Sequence, residues 1–320
     1  MDIRKHIRGE TMIQTIFENV KSAPDSGHLA SYIPALANQS KDLFAACLVD
    51  GKGEVLEFGD IDYLFTLQSI SKVMSFIVAA EHLGVDRILE KVDVEPTGDP
   101  FNSIVRLEVA EKGKPFNPMI NAGAITVASL LPGETVELRV NAVREYLSKI
   151  TGHEHYVNQE VYKSELETAY RNRAIANYLK ANDYLVGTVE EALETYLQLC
   201  SLEVSTQDLS KFGLFLSSDG KFANDNKNLI SRKTAQFSKA LMMTCGLYNA
   251  SGKYAATIGF PMKSGVSGGV LCTVHNGELE NLNGHIGIAV FSPMIDEIGN
   301  SVKGMDFLKK LSDQYKLSVF

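Results

Sequence analysis

Cysteine is scarce in this chain. Cys47, Cys200, Cys245 and Cys272 are the only four, widely separated and without a C-x-x-C pair. Such spacing argues against a zinc ribbon and against a disulfide framework, and four small buried side chains are the expectation. The nine prolines are dispersed, with no Pro-rich linker among them. Apolar runs are short: a stretch such as Phe76 to Ala80 falls far below the roughly 18 consecutive residues of a membrane-spanning helix, so no bilayer crossing is expected. Blocks of like charge are missing too. With 31 Lys+Arg against 39 Asp+Glu the net charge is -8, and no basic arm is present to hold nucleic acid or an anionic membrane. Met1 to His6 carries charge with no apolar segment behind it, which gives no sign of a secretory signal and points to a cytoplasmic protein. His153 and His155 form an H-x-H, but no Cys or His lies near enough in sequence to complete a zinc pattern. Neither a metal nor a cofactor is expected.

What is present is enough apolar sequence for one large domain or about two average ones. Leu43 to Val49 is an apolar run, Asp50-Gly51-Lys52-Gly53 has turn chemistry, and Val55 to Phe58 alternates, which together predict a hairpin. A second group follows late: Val266 to Val274, a turn at Asn276-Gly277, and His285 to Phe291, then a final helix over Val302 to Tyr315. Between them the chain reads as helical, with capping-box patterns at Thr188/Glu191 and Ser164/Glu167. Isolated hairpins need partners, so the two strand groups should join into one antiparallel sheet. The predicted fold is mixed α+β, a single catalytic unit over 1–320. Its sheet lobe spans about 1–68 plus 246–320 and is flanked by helices; an all-helical lobe, about 69–245, is inserted, with a cleft at the boundary.

Ser69 to Leu83 is apolar nearly all the way round, the mark of a buried helix, and Gly84 is suited to end it. At its start, Ser69 and Lys72 stand three apart and share a face. A serine hydroxyl is a weak nucleophile until a base takes its proton, and a lysine serves only if burial lowers its pKa. A buried helix start can supply that burial and can aim backbone N–H groups at an oxyanion. Alone, S-x-x-K is weak, since Ser218/Lys221 matches as well, in a turn. Lys263-Ser264-Gly265, followed by Ser267-Gly268-Gly269, strengthens it: an S-x-x-K serine with a later K-[ST]-G strand is the signature of serine beta-lactamases and penicillin-binding proteins. The glycines there are expected to let a ligand approach the backbone.

The wording around these elements resembles the serine-dependent glutaminases, a family of that superfamily, over nearly the whole chain. The resemblance rests on Ser31-Tyr32-Ile33-Pro34, Phe65 to Lys72, Asn117 to Ile125, Ser164-Glu165 with Arg171-Asn172, Tyr196 to Ser201, Cys245-Gly246-Leu247-Tyr248, Lys263 to Gly269, Phe291-Ser292-Pro293 and Gly299 to Gly304. It implies a beta-lactamase-like fold and hydrolysis of L-glutamine to L-glutamate and ammonia through a serine acyl-enzyme, in a homodimer or homotetramer. By the same resemblance Ser69 attacks, Lys72 takes its proton and Tyr248 relays a proton to the leaving ammonia. The N–H groups of Ser69 and Val266 form the oxyanion hole, and Tyr32, Asn121, Glu165, Asn172 and Tyr196 hold the amino-acid end. The residue types suit those roles, since Glu165 can accept from an α-ammonium, while asparagine and tyrosine can donate to an α-carboxylate. Seven apart, Glu165 and Asn172 are expected on one helical face.

Singly, each residue has a plainer reading. Glu165 would be a first-turn acid, Asn121 a helix cap, the tyrosines half-buried packing residues, and Lys263 a surface charge on an edge strand. Two departures stand out: the hairpin tip 276–284 is longer than the family suggests, and Thr168, Ala169 and Tyr170 replace small residues. The rival readings are a beta-lactamase or D-alanyl peptidase-like hydrolase and a non-catalytic glutamine-binding module.

Overall fold

The two ends of the chain meet in one sheet. The computed structural model describes residues 11–109, 113–221 and 228–320; the Met1 to His6 segment lies outside them. In chain order the elements are α1 (Met12–Ser22), β1 (Ala45–Asp50), β2 (Val55–Gly59), β3 (Phe65–Thr66), α2 (Ser71–Leu83), α3 (Val85–Leu89), α4 (Val105–Val109), α5 (Asn121–Ser129), α6 (Val136–Thr151) and α7 (Gln159–Thr168). There follow α8 (Tyr170–Ala181), α9 (Val189–Cys200), β4 (Glu203–Val204), α10 (Thr206–Ser217), α11 (Arg232–Cys245), α12 (Ser251–Thr257), β5 (Met262–Ser264), β6 (Gly269–Leu279), β7 (Leu282–Phe291) and α13 (Val302–Tyr315). Five strands run antiparallel in the order β2-β1-β7-β6-β5. Strand β1 from the amino-terminal part pairs with β7, Ala45 opposite Phe291 and Asp50 opposite Ile286. The expected mixed α+β arrangement is therefore present.

Local chemistry accounts for the first hairpin. Asp50 Oδ1 accepts from Lys52 N at 2.9 Å and Glu54 N at 3.1 Å, and Gly53 takes the positive φ of the turn. The second hairpin differs from the prediction. Asn276-Gly277 is not its turn: the ladder continues to Leu279 opposite Leu282, the reversal falls at Glu280-Asn281, and Asn276, with φ +58, sits at a bulge. Asn-Gly tolerates positive φ in a bulge as well as in a turn, so the dipeptide alone could not choose between them.

Helices α1 and α13 cover one face of the sheet, where Phe17 stacks on Phe44 at 4.5 Å and Phe307 meets both edge-on. The other face packs on α10 and α2, joining Ala45, Leu271, Ala289 and Phe291 to Phe212, Leu216 and Phe76. Helix α10 touches the sheet backbone to backbone. A Cβ on Gly287 would lie 1.9 Å from Ser210 O, and one on Gly213 would lie 2.2 Å from Cys272 O. Glycine is required at both places by space. A third apolar cluster joins α5, α8 and α9 through Ile125, Ile175, Leu179, Leu193 and Leu197. The four cysteines are buried and free, as expected.

Helix α2 is buried from Ser71 to Ala80 and ends at Gly84, whose φ is +84. It starts two residues later than predicted, because Gln68–Ile70 forms a 3-10 turn, and Ser69 lies in that turn. Thr188/Glu191 forms the predicted capping box, whereas Ser164/Glu167 does not. Helix α7 begins earlier, capped by Asn158, whose side chain accepts from Val161 N. Ser164 is consequently mid-helix, and its Oγ accepts from Ala35 N.

Candidate active site

A cavity of about 440 Å³ opens where α5, α7 and α8 face Val266 and the 295–299 segment. Tyr32, Phe101, Asn121, Glu165, Asn172 and Val266 are among its lining residues. Ser69, Lys72 and Tyr248 stand one contact behind that lining: Asn121 bonds Lys72, Phe101 packs on Tyr248 at 5.0 Å, and Ser69 bonds Tyr248.

The turn that carries Ser69 is pinned from two sides. Strand β3 pairs with β4, and Leu67 N donates to Leu202 O at 2.8 Å. Gln68 then adopts φ +49, a left-handed conformation that costs a non-glycine residue about 1 kcal/mol or more. From the other side, a Cβ on Gly265 would lie 2.5 Å from Leu67 O. Gly268 and Gly269 are likewise crowded, by Ser292 O and by the Phe65 ring. These glycines therefore admit neighbouring protein atoms rather than a ligand, and Gly265 brings the K-S-G strand against the S-x-x-K turn.

Lys72 is 1 % exposed. Its Nζ donates to Asn121 Oδ1 at 2.7 Å and Met119 O at 3.2 Å. Burial lowers its pKa to about 8, with Cys200 and Glu165 acting the other way. Tyr248, with φ +55, has its hydroxyl hydrogen-bonded to the Ser69 side chain and close to Ser264; burial holds its pKa up at about 12. Lys263 is fully buried although its strand is a sheet edge, so the surface-charge reading of it is overturned. Its Nζ donates to Ser264 O at 2.7 Å and lies 4.7 Å from the centre of the Tyr248 ring. Burial, and then the Lys72 charge, lower its pKa far below the usual value.

Asn121 connects the reacting end to the other wall. Its Oδ1 accepts from Lys72 and from the Tyr196 hydroxyl at 3.2 Å, while Nδ2 donates to Asn172 Oδ1 at 2.9 Å. Asn121 is therefore no helix cap. Ile120 holds the N-cap position without a side-chain cap, and Asn117 shapes the turn before it, its Oδ1 accepting from Met119 N and Ile120 N. Glu165 is mid-helix in α7 rather than in a first turn, and Oε1 accepts from Gln68 Nε2 at 2.7 Å. Burial raises its pKa to about 7, against the lowering influence of Gln68 and Lys72. Glu165 and Asn172 do not share a helix: α7 ends at Thr168 and α8 begins at Tyr170, yet both side chains reach the same cavity. Tyr196 is buried. Tyr32 is 56 % exposed at the mouth, with its hydroxyl turned in beside Tyr248 and Glu165; burial of that hydroxyl, then those neighbours, push its pKa up.

Two participants escaped the sequence reading. Gln68 was visible only as the residue before Ser69, and its target Glu165 is 97 residues away. Lys263 was visible only as part of a motif. The second S-x-x-K match stays in the turn after α10, where Asp219 and Gly220 take positive φ.

A buried serine beside a buried amine of lowered pKa, next to a K-S-G strand of an antiparallel sheet, defines a beta-lactamase-like serine hydrolase. The family model described as Glutaminase matches residues 27–320, and the chain belongs to the glutaminase family. Glutaminase 2 of Bacillus anthracis is 48 % identical over 296 residues, 92 % of this chain and 91 % of that protein. Glutaminase 1 of Bacillus subtilis is 46 % identical over 297 residues, with the same coverage. Among solved structures, a probable glutaminase from Bacillus subtilis complexed with 6-diazo-5-oxo-L-norleucine superposes with a TM-score of 0.89 at 40 % identity, covering 100 % of this chain and 99 % of that one.

Proposed function

We propose that this chain hydrolyses L-glutamine to L-glutamate and ammonia, with Ser69 as the nucleophile. The observation that carries the reading is the Lys72 amine, buried and held at a pKa of about 8. A neutral amine has two N–H donors and one lone pair. Met119 O and Asn121 Oδ1 occupy the two donors, which leaves the lone pair for the Ser69 proton.

Ser69 Oγ attacks the side-chain carbonyl carbon as Lys72 takes its proton, and the carbonyl oxygen becomes an oxyanion facing the N–H groups of Ser69 and Val266. Collapse breaks the carbon–nitrogen bond. The leaving nitrogen receives a proton through Tyr248, whose hydroxyl is hydrogen-bonded to Ser69, and Lys72 restores the Tyr248 proton. Water then attacks the acyl-enzyme and returns the serine proton. Glu165 accepts from the α-ammonium, while Asn172, Tyr32 and Tyr196 donate to the α-carboxylate and Asn121 links them to Lys72. A site with so many convergent polar groups rejects ligands that lack the matching charges.

The proposal includes a cytoplasmic homodimer or homotetramer working without a cofactor; no helix among the described residues is long and apolar enough to cross a membrane. It also keeps the two lobes, about 1–68 plus 246–320 for the sheet and about 69–245 for the helices, with α10 of the latter lying on the sheet. The deciding experiment is ammonia release from L-glutamine by the purified chain beside Ser69→Ala, with a chromogenic cephalosporin as second substrate. Turnover of glutamine that falls by more than about 10⁴ in the variant is expected. Turnover of the cephalosporin alone, or glutamine binding without ammonia release, would refute it.

A further inference from the structure

We propose that His153, His155 and Asp208 form a site for a borderline divalent transition-metal ion such as Zn²⁺, at the junction of α6 and α10. The sequence offered two histidines and no third ligand; the fold supplies Asp208, 55 residues beyond His153. One ligand atom from each of the three lies within 4.8 Å of the others.

The tautomers follow from the partners. His153 Nδ1 faces Glu154 O at 3.1 Å, and His155 Nδ1 faces Glu203 O at 2.9 Å. A carbonyl only accepts, so each Nδ1 carries the hydrogen and each neutral ring presents its Nε2 lone pair. Metal-ligating imidazoles are oriented in this same way. The His153 Nε2 is 2.7 Å from Asp208 Oδ1. Two acceptors that close require a cation between them, a proton or a metal. Asp208 is 1 % exposed, and its second oxygen is held by Ser205 N and Oγ, which fixes the first toward the histidines. His155 Nε2 accepts from the Thr151 hydroxyl at 2.8 Å, and that hydroxyl also has Leu147 O at 3.0 Å and His153 O at 3.4 Å as acceptors, so it can yield the nitrogen.

Access and selectivity are also legible. A groove walled by Asn141, Arg144 and Ser148 opens at His153, whose side chain is 52 % exposed. At Zn–N distances of about 2.0–2.1 Å, tetrahedral ligand atoms stand roughly 3.3 Å apart, so the His153–Asp208 pair, now 2.7 Å apart, has to open slightly while the three ligand atoms, within 4.8 Å of one another, draw in around the ion. Arg144 and Lys211 donate to the carbonyls of His155 and Thr151, and their charges oppose a hard cation held by electrostatics alone. Two imidazole nitrogens favour Zn²⁺ over Mg²⁺ or Ca²⁺ for the same reason. The ion would tie the segment after α6 to the first turn of α10, which follows β4. Strand β4 in turn pairs with β3, from which the chain enters the Ser69 turn.

The test is titration of the chelator-treated full chain with ZnCl₂, followed by calorimetry and thermal melting. One ion per chain and a rise in Tm are expected. His153→Ala and Asp208→Asn should each weaken binding by about tenfold or more. His275→Ala should leave it unchanged; it breaks the other paired imidazoles, whose centroids with His285 are 4.6 Å apart. No Zn²⁺ binding, binding undiminished in His153→Ala, or loss confined to His275→Ala would overturn the proposal. His153 is half exposed, so its removal leaves the fold available for the measurement.

Discussion

In the proposed role of ammonium acceptor, Glu165 has to carry a negative charge where the surroundings resist one. Burial raises its pKa from the ordinary 4.5 to about 7, although the Gln68 amide and the Lys72 amine pull it down. At about 1.36 kcal/mol per pH unit that rise corresponds to roughly 3 kcal/mol, and because the carboxylate borders a cavity open to water, on the order of 2 kcal/mol should survive. Glu165→Gln removes the charge, keeps the shape, and leaves an amide oxygen to accept from Gln68. Below pH 4.5 the carboxyl is protonated in both folded and unfolded wild-type chains, so the variant and wild type should be equally stable. Between 4.5 and 7 the unfolded chain releases a proton that the folded chain keeps, and wild-type stability falls. Above 7 the deficit is constant. Urea unfolding at pH 8 should therefore show the variant more stable by about 2 kcal/mol, and at pH 4 no difference. Function should move the opposite way: loss of the ammonium acceptor raises KM for glutamine by about 10- to 100-fold. Lys72, whose pKa Glu165 raises, should titrate lower in the variant. Equal stability at both pH values together with an unchanged KM would refute this account.

Three further outcomes follow from the same geometry. Lys72→Met fills the buried slot with an unbranched apolar side chain, so circular dichroism should be unchanged while kcat falls by about 10²–10⁴. In the wild type, kcat/KM should rise with pH through the window from about 7 to about 8, as Glu165 and then Lys72 lose their protons, and Tyr248 should stay protonated up to about 12; a rate that climbs as pH falls below 7 would contradict both assignments. Gln68→Ala should raise KM several-fold and move the Glu165 titration upward, because one of its two lowering influences is gone. Gln68→Gly tests the alternative cause: it eases the φ of +49 yet lacks the amide, so recovery of KM in the glycine variant would assign the effect to backbone strain instead.

Much of the fold and the proposed reacting pair could be read from residues close together along the chain. Ser69 and Lys72 are within one turn, the all-round apolar character of α2 announces its burial, and Asp50 with Gly53 builds its own hairpin turn. Errors arose where a local pattern had two outlets. Asn276-Gly277 serves a bulge as well as a turn, and a Ser-x-x-Glu spacing occurs inside a helix as well as at its start. The cavity wall was harder still, since Glu165 and Asn172 sit on separate helices and meet only at the cavity.

The amino-acid order by itself therefore determined the family, the placing of Ser69 and Lys72 within one turn, and the pairing of terminal strands into one sheet, because spacing and apolar period act over a few residues. The tertiary structure alone decided that Lys263 is buried, that Asn121 bridges Lys72 to Asn172, that Gln68 holds Glu165, and that Asp208 bonds His153 with His155 close by. Burial and hydrogen bonding depend on which distant surfaces close over a group, and those two quantities set its pKa and its chemistry.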